Sequence, residues 1–225
     1  MCSSEAPAGA TTAPKARGRP LSFDRDAALE RAMHVFWERG YEAASIADLT
    51  AAMGITPPSL YTAFGDKERL FLDAIERYAL GPGSAGSRAL AEEPTARGAI
   101  QRWLEESADE LTRPCHPQGC MMVMAATNCS VAAERVQTAL AKRRAAAVAN
   151  LQSRIQAAVE GGELPPGTDA DALATFYATV YQGMSMQAKD GATPASLLAS
   201  VEMAMRSWPV AEATKPKRKR AVSNA

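Results

Sequence analysis

The sequence predicts an all-α protein, and three observations carry that expectation. The apolar bulk comes mostly from Ala, Leu, Met and Val, with aromatics only 6% of the 225 residues, a mixture that suits helices better than strands. Apolar residues recur at helical spacing in most windows, and no segment alternates with period two for long enough to make a strand. Short Gly- and Pro-rich stretches cut the pattern into helices of ordinary length. Within this class the chain divides into an N-terminal three-helix bundle with a helix-turn-helix (residues 21–80, motif 45–64) and a larger helical domain (residues 81–208). Residues 1–20 and 209–225 read as a disordered basic arm and tail, too poor in apolar bulk to order themselves.

Each element follows from its own signals. "FDRDAALERAMHVFWERGY" places Leu29, Ala32, Met33 and Phe36 on one face. Ser22 or Asp24 caps its start, and Gly40 ends it. "SIADLTAAMG" has Ser45 as cap, Ile46, Leu49 and Met53 as apolar stripe, and Gly54 as left-handed stop. "ITPPSLYTAFG" follows: Thr56 caps, Pro57 and Pro58 fill the first turn, and Leu60 and Phe64 face inward. "DKERLFLDAIERYAL" is a fourth helix, capped by Asp66, with Leu70, Phe71, Ala74, Ile75 and Tyr78 inside. "GPGSAG" at 81–86 breaks the pattern. Further helical windows cover 94–112, 119–126, 131–160, 169–188 and 194–207.

The helix begun by Pro57-Pro58 is too short to persist in water alone. Helix, glycine turn and short helix make a helix-turn-helix, in which neighbouring helices hold the second one. Its outward face then fits the major groove of double-stranded DNA. Ser59, Tyr61 and Thr62 point outward on this reading, with Ser45 and Thr56 at the helix starts and Lys67 adding a cation near the DNA backbone. Arg17 and Arg19, in "KARGRP" before the first helix, suit a narrow minor groove. Net charge is zero, so the chain as a whole is no basic nucleic-acid binder and any DNA contact is local. The basic run "KPKRKR" at 215–220 reads as a solubilising tail.

"SIADLTAAMGITPPSLYTAFGDKERLF" resembles the DNA-binding domain of the TetR family of bacterial repressors, over roughly residues 22–80. The Gly54-Ile55 turn, the Leu60-Tyr61 pair, Phe64 and the Lys67-Glu68 step fall at the family spacing. Thr50 stands where the family usually carries alanine, and it fits if its hydroxyl bonds back to the Ile46 carbonyl. Pro57-Pro58 replaces a more usual lysine or serine, which narrows the set of side-chain contacts. The resemblance implies a DNA-binding repressor, a homodimer on a palindromic operator, and a second domain that binds a small-molecule effector and dimerises. The competing reading is a helical dimeric interaction module that ignores specific DNA.

For the second domain, Leu173, Phe176, Tyr177, Val180, Tyr181 and Met184 form a stripe too wide for one seam, and Leu197, Leu198, Val201, Met205 and Trp208 follow in the next helix. Helices this apolar need partners. Trp103, Cys120, Met121, Met124, Phe176, Tyr177 and Tyr181 are the candidate lining of an effector pocket, expected to take a small and largely apolar molecule because few charges lie near them in sequence. "PCHPQGCMMVMAATNCS" holds three of the four cysteines, and three readings stay open for it. Met121, Met122, Met124 and Cys129 can be core fillers. Cys120, at the start of a helix, can be a reactive thiol, and a similar Gly-Cys step occurs in a branch of the resembled family that senses electrophiles and oxidants. Cys115, His116 and Cys120 can hold a soft metal, although the spacing matches no closed zinc pattern.

No phosphate loop, dinucleotide glycine pattern or His-Glu zinc helix is present, and adjacent Cys115 and His116 make a poor nucleophile pair, so an enzyme is not expected and no cofactor is implied. No apolar run reaches eighteen residues, so no membrane span is expected. The N-terminus lacks a signal-peptide pattern, which points to the cytoplasm and reduced cysteines.

Overall fold

The computed structural model describes residues 23–127 and 129–210. Arg17, Arg19 and the basic run at 215–220 lie outside the described residues. The described chain is all helical: α1 (Arg25–Ala43), α2 (Ile46–Met53), α3 (Pro57–Phe64), α4 (Lys67–Leu80), α5 (Ala85–Glu92), α6 (Ala96–Leu111), α7 (Met121–Met124), α8 (Glu134–Glu160), α9 (Ala170–Lys189) and α10 (Pro194–Met205). Single 3-10 turns precede α5 and α8.

The first four helices start where side chains can satisfy their free N–H groups. Asp24 caps α1, Ser45 and Asp48 form a reciprocal capping box on α2, Thr56 caps α3 and Asp66 caps α4. Gly40 interrupts α1 with φ 77°, a conformation that disfavours any side chain. A Cβ there would also stand 3.2 Å from the Ala125 carbonyl oxygen. The chain bends at this point, and the Tyr41 N–H donates to that same carbonyl at 2.8 Å.

Helix α1 packs on α2 and α4, and α3 bridges α2 and α4. Phe36, Phe71, Leu49, Leu60, Phe64 and Ile75 are fully or almost fully buried between them. Phe36 meets Phe71 edge-on at 5.0 Å. In the C-terminal part α5 lies on α6, α8 on α9, and α10 on α6 and α9. One apolar core runs through both parts.

Two expectations change. "GPGSAG" does not only break the pattern: its second half begins α5, which the sequence reading left out. The helix expected over 119–126 is the four-residue α7 alone. Among the described residues no helix is long and apolar enough to cross a membrane.

Candidate functional site

Helix α3 has two turns and only two fully buried anchors, Leu60 and Phe64. Each contributes roughly 2–3 kcal/mol of burial, enough to hold a helix whose isolated form is unstable. The left-handed Gly54 (φ 70°) sets the turn between α2 and α3. Thr50 is buried on α2, and its hydroxyl donates to the Ile46 carbonyl at 2.8 Å, the bond that lets threonine occupy an alanine position.

The outward face of α3 carries Tyr61, 49% exposed, and Thr62, also exposed. The Thr62 hydroxyl donates to the Pro58 carbonyl at 2.8 Å, which leaves its lone pairs facing out. Ser59 is half-buried rather than exposed, and its hydroxyl shares a 3.0 Å hydrogen bond with Thr56. Ser45 is committed to the α2 cap, with its hydroxyl 2.6 Å from Asp48. Lys67 has contacts within the fold that its place in the chain does not reveal. Its ammonium lies 4.5 Å over the Tyr41 ring and 3.3 Å from the Glu42 carbonyl. Burial lowers its pKa against the pull of Glu42. The Lys67 cation is thus held on the α1 end of the bundle.

The acidic residues of this unit also have local work. Asp48 pairs with Arg39 at 2.7 Å and Glu30 with Arg77 at 2.7 Å. Glu42 accepts from the Ser130 N–H and hydroxyl, bonds that hold its carboxyl below the usual range. Negative charge near α3 is therefore partly compensated within the fold.

A second site lies behind α4. A cavity of about 330 Å³ is walled by Tyr78, Gly83, Gly86, Leu90, Trp103, Cys120, Val123, Arg143, Arg144 and Tyr181, among others. Gly83 and Gly86 are required by contact: a Cβ on the first would meet the Tyr78 ring at 2.6 Å, and on the second the Trp103 indole at 3.0 Å. Trp103 and Tyr181 lie ring against ring at 5.0 Å.

Of the seven predicted lining residues, Trp103, Cys120 and Tyr181 meet at this cavity. The other four lie elsewhere. Met121 is fully buried in the core, and the Met124 sulfur packs against Gly119. Tyr177 donates its hydroxyl to the Ala204 carbonyl at 3.2 Å and packs near Trp208. Phe176 faces outward, 40% exposed. One helical stripe therefore splits three ways, into cavity, core and surface. The sequence reading missed Tyr78, Arg143 and Arg144, which come from α4 and α8. It also expected few charges near the pocket, yet two arginines stand on the wall.

Cys120 is 3% exposed. The Tyr78 and Tyr181 phenols lie beside its sulfur, and burial followed by the nearby sulfur pushes both phenols up. The cysteine precedes only one turn of helix, so the two phenols, not a helix end, define its surroundings. Its N–H donates to Ser185 on α9 at 2.8 Å. Gly119, at φ +81°, has no room for a Cβ, which would lie 2.9 Å from the Ser185 carbonyl oxygen. The Gly-Cys step is thus the place where the segment presses on α9.

The same segment grips α1. The Trp37 indole N–H donates to the Gly119 carbonyl at 2.9 Å, stacks on His116 at 4.3 Å and meets Tyr78 edge-on at 4.8 Å. His116 has both ring nitrogens engaged, with Glu110 and the Pro117 carbonyl, each at 3.0 Å. That engagement removes it from the soft-metal set with Cys115 and Cys120, and no metal-holding group of three His, Cys, Asp or Glu exists among the described residues. His34 is half-buried, edge-on to Trp37, and burial lowers its pKa.

Known proteins resemble this chain along most of its length. Residues 28–74 match the model of bacterial regulatory proteins of the tetR family, and residues 96–208 match the tetracyclin repressor-like C-terminal domain. The HTH-type transcriptional repressor ComR of Escherichia coli (strain K12) is 37% identical over 87% of this chain and 93% of its own length. The HTH-type transcriptional repressor BdcR of the same organism is 26% identical over 83% of this chain and 90% of its own. Among solved structures, a cysteine mutant of the TetR family transcriptional regulator CifR, complexed with 26-bp double-strand operator DNA, superposes with a TM-score of 0.82. It shows 45% identity, covering 85% of this chain and 100% of that one.

Proposed function

Because the chain belongs to the TetR family of bacterial regulatory proteins, we propose that it is a sequence-specific DNA-binding repressor, acting in the cytoplasm as a homodimer and released by a small effector or by thiol modification. The observation that carries this reading is α3: a helix too short to stand alone, anchored by Leu60 and Phe64, with Tyr61 and Thr62 outward. On this reading residues 21–80 bind DNA and residues 81–208 sense and dimerise. Tyr61 and Thr62 meet the operator first, Ser59 and Thr56 present the helix start, and Arg17 and Arg19 enter the minor groove. Ser45 and Lys67 serve by positioning: the first caps α2 and the second braces the α1 end. Phe176, with Met186 and Met203, exposed on α9 and α10, belongs to the dimer face.

Effector action follows from connectivity. The segment bearing Gly119 and Cys120 touches α9 through Ser185 and α1 through Trp37. A molecule in the cavity, or a bulky group on the Cys120 sulfur, displaces that segment and with it α1. Two reading helices reach successive major grooves only over a narrow range of separations, so a small shift weakens the operator complex. No catalytic step belongs to this reading, and turnover of a small molecule by the protein would contradict that part of it.

Gel-shift of the full chain with its own upstream DNA is the test. A specific complex with steep salt dependence is expected; equal affinity for any duplex would instead support the interaction-module reading. For the thiol branch, Cys120→Ser should abolish release by thiol reagents. Release that persists in that variant removes Cys120 as the sensor.

A further inference from the structure

The cavity carries charge of one sign only. Among the described residues no Asp or Glu lines it, while Arg143 and Arg144 both do. The two arginines differ in what neutralises them. Arg143 forms an ion pair with Glu76 on α4, outside the lining. Arg144 has no carboxylate ion-pair partner among the described residues; its guanidinium donates to the Met122 carbonyl at 2.9 Å. A guanidinium has five N–H donors in a planar fork shaped for a carboxylate. An arginine that is only partly exposed, beside an apolar wall, gains most from an anion brought to it. Leu90, Trp103, Val123 and Leu151 give the wall an apolar part that suits a hydrocarbon or aromatic body.

We propose that the cavity selects organic acids, with an apolar body against Trp103 and a carboxylate on Arg144. This inference rests on the reading of the cavity as the effector site and names the class of effector. It adds a charged group to the small and largely apolar molecule expected from the sequence, where Arg144 stands more than twenty residues from Cys120 and more than forty from Trp103. The carboxylates around this region have other partners: Glu76 is held by Arg143, and Glu110 by His116 and Arg113.

The test is calorimetric titration of the full-length homodimer at neutral pH with phenylbutyrate and octanoate, each beside its own amide. Acid and amide share shape and differ in charge. Each acid should bind about tenfold or more tightly than its amide. Arg144→Gln should bring the acid down to the affinity of the amide, and Arg144→Lys should keep part of the preference. Equal affinity of acid and amide for the wild-type protein, or a preference that survives Arg144→Gln, would overturn the inference, as would the absence of saturable binding by either acid. The wild-type comparison needs no variant, so a folding defect in Arg144→Gln leaves it standing. A protein that binds its upstream DNA but fails the acid test overturns this inference alone. A protein that binds no duplex specifically overturns the regulator reading whatever the acids do.

Discussion

At α3 the buried side chains are apolar and the polar ones either cap a helix or face out; in the cavity behind α4, phenols, a thiol and guanidinium groups line a half-open pocket. Both arrangements are anchored in one apolar core. The difference is in how far apart in the chain their parts lie. The caps and the turn that delimit α3 fall between Ser45 and Asp66, and its two anchors pack on the adjoining α2 and α4. The cavity is gathered from α4 through α9, and its contacts depend on glycines that let elements approach closely. A local device of the first kind fixes geometry. A gathered device of the second kind can transmit a change, because moving any one wall moves several helices.

The largest expected effect breaks the local device. Phe64→Ala removes a fully buried anchor and should cost about 3–5 kcal/mol of stability, read in urea unfolding, with operator binding lost. A loss under 1 kcal/mol would mean α3 stands without that anchor. Next comes Gly119→Ala, in the gathered device. Positive φ and the 2.9 Å approach to the Ser185 carbonyl should together cost about 2–3 kcal/mol, visible in the same assay. Full stability would show that the segment can leave α9 freely.

Trp37→Phe sharpens the link between the two devices. It deletes the indole N–H and leaves the buried Gly119 carbonyl without its donor, a loss of about 1–2 kcal/mol. Effector-dependent release should weaken in parallel, by gel-shift with and without effector. Unaltered release would place the coupling elsewhere. The smallest effect is on the reading face. Tyr61→Phe should leave stability unchanged and weaken the operator complex by about 1 kcal/mol if the hydroxyl meets a phosphate; unchanged affinity removes it from the contact list.

The same contrast explains what could be read from the chain alone. The caps at Ser45, Thr56 and Asp66, the turn at Gly54 and the Thr50 bond to Ile46 are interactions within four residues, so sequence spacing contains them. The split of the α9 stripe is not contained there. Phe176 and Tyr177 are neighbours on one helix, and only the approach of α10 decides that the second is core and the first surface. Helix α5 was missed because its glycines signal a break, while their use is contact with Tyr78 and Trp103. The contacts of Lys67 show the same limit: its ammonium meets the Tyr41 ring and the Glu42 carbonyl, more than twenty residues earlier, which spacing does not contain.

The central claim, that two copies of α3 read DNA from a twofold dimer, is tested most directly by hydroxyl-radical footprinting of the homodimer on its operator. The account predicts two protected segments related by a palindrome, with centres one helical turn, about 10 base pairs, or a multiple of it apart. A single protected segment, or two with no symmetry between them, would contradict it.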